Sequence, residues 1–483
     1  MAAHNSGFFE IPDVIHFEDY KMFAQSFASQ LAKRASSREY TPNTLTLFPY
    51  PNYHPQYPNK LRVMAVASVA DLALLRVDGG RLARVTDPTI SDRVYSYRIS
   101  SFGDAASAWT FRSSKEAWRA FTEAGISVLD DDTRPFMCRT DVTKFYPSIR
   151  FDLLEDLLLR CRCNHKIVRR LLRTLEFWRD QTGLRGLPIG PEASAVLGNL
   201  FLAPVDQSII ASGADHKRYG DDILIFTKTR ALREAVVTLL DKELPMLGLT
   251  RSEEKTKLFD DPEEARENLR DSKIQYWEGA ASYSPELSVW GVRRAFDQDI
   301  LNSPEIKLSQ YRWILKYLKN RNDMHGCYDL VCRRDLMNID PKIAGPYVMV
   351  AKTTKRVIEE CMKLISQAPE DHFEALTFHM LMAMSQVRTG GDEAKEFERI
   401  ASDQSRRWPT RAAAWRALAR SDKIKQSFLM QAASAESEPD IRRAIITTLR
   451  HAGGHRQRNS FLNDIRKKHP ETQYTVEWVR NAA

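Results

Sequence analysis

The chain has 483 residues, 43% of them hydrophobic and 28% charged, which is enough for two or three domains that each bury a core. Its net charge of +8 suits a protein that tracks phosphate backbones. No apolar run approaches bilayer length, since Met64 to Leu75 is broken by Asp71 and Ala195 to Val205 by Gly198 and Asn199, so a membrane protein is excluded. The N-terminus lacks a basic start and an apolar core, with Glu10, Asp13 and His16 close behind Phe8 and Phe9, which argues against export. Cys138, Cys161, Cys163, Cys327, Cys332 and Cys361 show no zinc-type spacing and read as reduced thiols of a cytoplasmic protein.

In chain order, residues 1–135 begin with a helix around Glu18 to Arg34 that ends in the polar stretch Ser36-Ser37-Arg38-Glu39. Short strands then mix with helices near Ala70 and from Ser114 to Ala124. Within a domain of residues 136–290, residues 136–260 alternate strand, helix, helix, hairpin and helix, the pattern of an α+β fold with helices behind an antiparallel sheet. Ile274 to Gly279 reads as a last strand pair, and from about residue 300 to 483 the pattern is helix after helix.

The most informative stretch is Lys217 to Phe226, which reads as strand, tight turn, strand, with Gly220-Asp221 as the kind of pair that closes a short hairpin. That geometry puts Asp221 and Asp222 at the tip with no obvious cation beside them. Like charges at a turn are costly unless a divalent ion sits there. Asp141, at the end of a strand-like run, is poor strand material and becomes sensible if it shares that ion. Between them, Gly186-Leu187-Pro188-Ile189-Gly190-Pro191 forms a Gly/Pro-rich loop feeding a helix, with Pro191 suited to the first helical turn.

These segments, in this order, resemble reverse transcriptases over about residues 45–280. Asp141 with Phe145 and Tyr146 resembles the first catalytic motif, Gly186 to Asn199 the second, and Tyr219 to Asp222 the tyrosine-any-aspartate-aspartate box. Leu249 to Lys257 resembles the segment after the palm helix, while Lys60 to Val66 and Asp92 to Arg98 resemble the fingers. The resemblance implies nucleotidyl transfer with two Mg2+ ions, or Mn2+ in their place, held by Asp141, Asp221, Asp222 and the Val142 carbonyl. It also implies that Lys255 neutralises the leaving pyrophosphate and that Tyr146 gates against a 2′-hydroxyl. Phe145 shares the first motif, although strand alternation points it toward the core. Lys60 and Arg62 would clamp the triphosphate, with Arg93 and Arg98 as competitors for that task. Gly190, Pro191, Ser194 and Tyr219 complete the expected substrate contacts. One departure stands out: many templated members carry glutamine where this chain has Ile189.

In the helical part, Thr410 to Leu418 aligns with Ile441 to Leu449, each after a Pro (Pro409, Pro439), which suggests HEAT-type repeats. A polymerase palm joined to helical repeats resembles the bacterial defence-associated and abortive-infection reverse transcriptases. That resemblance implies DNA synthesis from dNTPs, templated or not, a nucleic-acid partner (a non-coding RNA or the DNA product), a homo-oligomer and an antiphage role. The rival readings are a conventional RNA-templated enzyme of retron or retroelement type, and an inactive palm that serves as an RNA-binding scaffold.

Overall fold

The computed structural model describes residues 10–36, 40–103, 109–131, 133–366, 371–421, 424–451 and 455–481. Phe8, Phe9 and the Ser37-Arg38-Glu39 end of the expected first helix lie outside the described residues. What precedes that end is two helices, Glu18–Met22 and Ala24–Ser36, separated at Phe23.

The fold is α+β, and its centre is a four-stranded antiparallel sheet of β5 (Phe136–Thr140), β6 (Asp215–Tyr219), β7 (Asp222–Thr227) and β8 (Lys257–Phe259). Its order is β6-β7-β5-β8, so β5 and β7 are central. The run Ile223 to Thr227 is buried throughout, and alternation divides it between two cores. Ile223 and Ile225 pack with Leu154, Leu171, Val236 and Leu240 on one face. Leu224 and Phe226 pack with Phe121, Leu129, Phe259 and Ala265 on the other. Helices therefore cover both faces, not only the back. Local chemistry starts several of them: Ser68, Ser113 and Thr229 each accept an N-terminal helix N–H, from Asp71, Glu116 and Leu232.

Two small hairpins flank this sheet, β1 (Thr46–Pro51) with β2 (Leu61–Val66), and β3 (Ile99–Phe102) with β4 (Trp109–Phe111). The expected strand pair at Ile274 to Gly279 is instead the helix Ser272–Tyr283. Asp271 caps it by accepting the Ile274 N–H, and Ile274, Trp277 and Ala281 turn inward at helical spacing. The helical run Glu192–Ala211 is long and apolar enough to cross a membrane by composition, contrary to the sequence reading, but it is mostly buried inside the fold.

The C-terminal helices come in pairs: Gly391–Ser402 with Trp408–Leu418, Gln426–Ala435 with Pro439–Thr448, and His455–Lys468 with Gln473–Asn481. The second helix of each pair touches the second helix of the next. Pro409 and Pro439 both lie in the first turn of their helices, and Arg411 and Arg442 take matching buried places, paired to Glu436 and Glu471.

These helices share one continuous core with the β1–β2 hairpin. Phe48, Tyr50 and Met64 are buried among Phe378, Leu381 and Ala412. The Phe48 and Phe378 rings lie 6.1 Å apart, the Tyr50 hydroxyl donates to Asp340 (3.3 Å), and Trp408 Nε1 donates to Thr46 Oγ1 (2.7 Å). Each such side chain gains about 1.5–3 kcal/mol from burial. Deleting residues from 300 onward should therefore leave an aggregating or partly unfolded fragment, although every carboxylate of the sheet is retained. Size-exclusion chromatography and circular dichroism check this, and a soluble, cooperatively melting fragment would contradict it.

Candidate active site

The β6–β7 hairpin closes through a two-residue turn, because Tyr219 pairs directly with Asp222 and leaves Gly220 and Asp221 between them. Gly220 has φ +66°, a left-handed conformation that glycine adopts without a Cβ penalty. Asp141 follows β5 directly, and Val142 pairs with Arg251 beside it. The Thr250 to Lys255 segment is stitched to this strand end: Thr143 N–H donates to Thr250 (2.8 Å) and Ser252 N–H to Asp141 (2.8 Å). Three carboxylates thus meet at one end of the sheet.

Their charges act on one another. Burial, then the charges of Asp141 and Asp222, push the Asp221 carboxyl up to about 7. Burial also raises the Asp141 and Asp222 carboxyls, against the pull of Lys255 on Asp141 and of Arg139 on Asp222. The trio is not free of cations, as the sequence had suggested. Lys255 Nζ donates to Asp141 Oδ2 at 2.5 Å, and Arg139 lies 3.8 Å from Asp222. Burial works against the Lys255 ammonium, but the hydrogen bond and charge of Asp141 raise its pKa overall.

Tyr146 and Phe145 stand in a single helical turn, Phe145–Ser148, rather than in a strand. Lys144 enters this turn with φ +47°, which rotates the two aromatics out of strand alternation. Phe145 is buried and Tyr146 half-buried, with ring centroids 5.1 Å apart. Burial, with Tyr97 and Asp221 nearby, holds the Tyr146 phenol well above its ordinary range. Gly186 lies against this turn so closely that a Cβ would run into the Tyr146 carbonyl oxygen, and the Leu187 N–H donates to that oxygen at 2.8 Å. The glycine therefore admits the chain's own backbone.

The rest of the second motif faces the fingers. Ile189 C=O accepts from Ala65 N–H (2.7 Å) on β2, and the Ile189 side chain packs against the core that the β1–β2 hairpin shares with the C-terminal helices. Gly190 follows, Pro191 is the N-cap of helix Glu192–Phe201 rather than part of its first turn, and Ser194 is buried in that helix. Tyr219 packs edge-on to Trp118 at 4.9 Å and lies 5.8 Å from Phe121.

Not every expected residue joins the cluster. Arg62 is tied to Glu10 (2.7 Å), which also holds Lys342 (3.2 Å), so the fingers arginine is already neutralised. Arg93 and Arg98 are held by Asp215 and Asp87 at 3.4 and 3.0 Å. Lys60 is exposed, and its charge still reaches Asp141. Sequence reasoning missed Arg139 and the buried polar residues Ser96, Asp206 and Arg218. The available signal was an unexplained Asp206 in an apolar helix and an Arg218 just before the carboxylates.

Residues 58–277 match the family model described as reverse transcriptase (RNA-dependent DNA polymerase). This part of the chain has the reverse transcriptase domain fold, and a helical region follows it. Among solved structures, the chain is similar to a telomerase from Candida albicans in complex with the TWJ fragment of telomeric RNA. That likeness has 14% identity and a TM-score of 0.32, and covers 82% of this chain and 70% of the other. It is also similar to an apo telomerase from Candida tropicalis, with 9% identity, a TM-score of 0.35, and coverage of 95% and 73%. The search of curated proteins gives no match.

Among the described residues no three His, Cys, Asp or Glu side chains form a ready cage for a metal ion. The donor set still suits Mg2+, which takes one or two carboxylates and completes its shell with water and substrate phosphates. Asp141 and Asp222 both push the Asp221 carboxyl up, a repulsion that a divalent cation among these hard oxygen donors would relieve.

A pH dependence follows. The folded Asp221 carboxyl keeps its proton to about pH 7, whereas its ordinary value is 3.8, so the folded state binds more protons between those values. Stability from this group is fully present below the lower value and is lost as pH rises through about 7. Without divalent ions, the melting temperature should fall by about 2–4 °C between roughly pH 5.5 and 8 through this group. Differential scanning fluorimetry of Asp221→Asn should show a smaller fall.

Proposed function

We propose that the chain is a divalent-metal-dependent DNA polymerase of the reverse transcriptase type, building DNA from dNTPs. The observation that carries this reading is the meeting of Asp141, Asp221 and Asp222 at one end of the sheet, with Asp221 pushed up to about 7. Asp141 and Asp221, supported by Asp222 and the Val142 carbonyl, would hold two Mg2+ ions, or Mn2+. Bound there, such ions would stabilise charge on the attacking and leaving oxygens of the transfer.

The residues around them have separate tasks in this reading. Lys255, tethered to Asp141, supplies a positive charge beside the position of the departing pyrophosphate and can give it a proton. Tyr146 presents its ring edge to the nucleotide sugar, and Phe145 and Gly198 set that ring's position, since the Gly198 Cβ site lies 3.1 Å from the Tyr146 ring. Lys60 on the fingers side meets the triphosphate, and Arg62 can do so only by leaving Glu10. Gly190, Pro191 and Ser194 shape the floor below the base, and Tyr219 buttresses the carboxylate turn.

The finer reading is a bacterial, cytoplasmic, oligomeric enzyme of the antiphage defence type, with HEAT-like repeats in place of a conventional thumb. Two observations support it. The helical pairs share a core with the fingers hairpin, and Ile189, where many templated enzymes have glutamine, packs against that core. In this reading synthesis is RNA-directed or template-independent, and the nucleic-acid partner is a non-coding RNA template or the DNA product.

Asp141→Ala and Asp221→Ala should each reduce incorporation of labelled dNTPs by at least about a thousandfold while circular dichroism stays native. Persistent synthesis by the folded double variant would remove these carboxylates from the chemistry and end the polymerase assignment. Tyr146→Ala should raise rNTP incorporation relative to dNTP by about tenfold or more, measured by competition on one template or by untemplated extension. An unchanged ratio would make Tyr146 a packing residue.

A further inference from the structure

Behind the carboxylate turn lies a polar network sealed from water. Ser96, Asp206, His216 and Arg218 are 0–1% exposed, and Asn199 is 2% exposed. Arg218 makes a two-pronged pair with Asp206, through Nε at 2.8 Å and a terminal nitrogen at 2.6 Å. His216 Nε2 is 3.1 Å from the same Asp206 carboxylate. The other terminal nitrogen of Arg218 donates to Asn199 Oδ1 (3.2 Å) and to the carbonyl of Gly220 (2.9 Å). On the opposite side, the Gly220 N–H donates to Ser96 Oγ at 2.6 Å. Asn199 closes the ring by donating from Nδ2 to the Ser96 carbonyl at 2.7 Å.

We propose that Ser96 and Arg218, braced by Asn199 and Asp206, are positioning residues that clamp Gly220 and thereby aim the Asp221 carboxylate at the metal and nucleotide; this rests on the polymerase reading above. Glycine is the freest residue of the turn, yet both its backbone polar groups are consumed by buried partners. The carbonyl held by Arg218 belongs to the same rigid peptide plane as the Asp221 N–H, so fixing that oxygen fixes the direction in which Asp221 leaves the turn. Mutual repulsion pushes Asp221 away from Asp141 and Asp222. To swing aside it must break hydrogen bonds whose partners would then be buried and unsatisfied, which is costly. The clamp touches neither metal nor substrate. It acts by keeping the carboxylates together before a cation arrives, which is preorganisation of the site.

The test uses the full-length chain. Ser96→Ala removes one grip, and Ser96→Thr keeps the hydroxyl acceptor. Ser96→Ala should need about tenfold more Mg2+ for half-maximal dNTP incorporation, with the dNTP KM at saturating Mg2+ changed by less than about twofold. Ser96→Thr should recover most of the loss. Mn2+ titration followed by electron paramagnetic resonance should show the same weakening without turnover. That arm separates the two ideas: a folded wild-type chain that binds Mn2+ but incorporates no dNTP overturns the polymerase reading, while equal Mn2+ affinity in wild type and Ser96→Ala overturns the clamp. If Ser96→Ala does not fold, hydrogen exchange on the unaltered metal-free chain decides. The Gly220 amide should exchange at least about a hundredfold more slowly than a free peptide, and exchange at the free rate overturns the proposal.

Discussion

Repulsion among Asp141, Asp221 and Asp222 is the constraint around which the rest of the site is organised. Left alone, three partly desolvated carboxylates would drive the strand ends apart or take up protons, and the raised pKa of Asp221 shows the second response. The fold answers with cations on either side, Lys255 on Asp141 and Arg139 near Asp222. It also answers with backbone pairing. β5 lies between β7 and β8, and the Thr250 to Ser252 strip is hydrogen-bonded on both sides of Val142, at the Asp141 carbonyl and the Thr143 N–H, so the carboxylates are held by the sheet more than by their own contacts.

The acidic hairpin was legible in the sequence because its signals are local. A Gly-Asp pair between two apolar-rich runs defines a two-residue turn, and the turn leaves the acids at its tip. The helices behind the sheet were legible from periodicity. The surroundings of the acids were not, because they depend on residues distant in the chain. The bond between Ser96 and Gly220 spans 124 positions, and that between Lys255 and Asp141 spans 114. Tyr146 shows a different failure. Its neighbours suggest a strand, but one left-handed residue, Lys144, converts the segment into a helical turn. Ile274 to Gly279 failed because a short run of aromatics and aliphatics fits both periods, and an N-cap at Asp271 settles it as a helix.

The helical part is not an appendage hung on a finished domain. Its core continues into the β1–β2 hairpin, whose buried face would otherwise meet water. The N-terminal segment joins the same assembly, since Asp13 and Asp19 both engage the buried guanidinium of Arg443. Glu10 then bridges Arg62 on the fingers and Lys342 among the helices. The β1–β2 hairpin, the N-terminal segment and the C-terminal helices are thus tied into one body. A motion of the β1–β2 hairpin must either carry the helices with it or break these ion pairs.

The Arg218–Asp206 pair shows where such buried charges have their value. A fully buried ion pair adds little net stability, because desolvation consumes much of the Coulombic gain. Losing one partner is nevertheless costly, since the other is left buried and charged. A pair of this kind therefore penalises wrong arrangements more than it rewards the right one. In a hairpin, the wrong arrangement is a register slip, and a shift of one residue reverses every side chain between the two faces. Here a slip of β6 would take Arg218 from Asp206 and the Gly220 carbonyl together, and a slip of β7 would move Ile223 and Ile225 out of their core. The ion pair and the alternating apolar residues thus select the same register, and that register is the one that brings Asp221 to the end of β5.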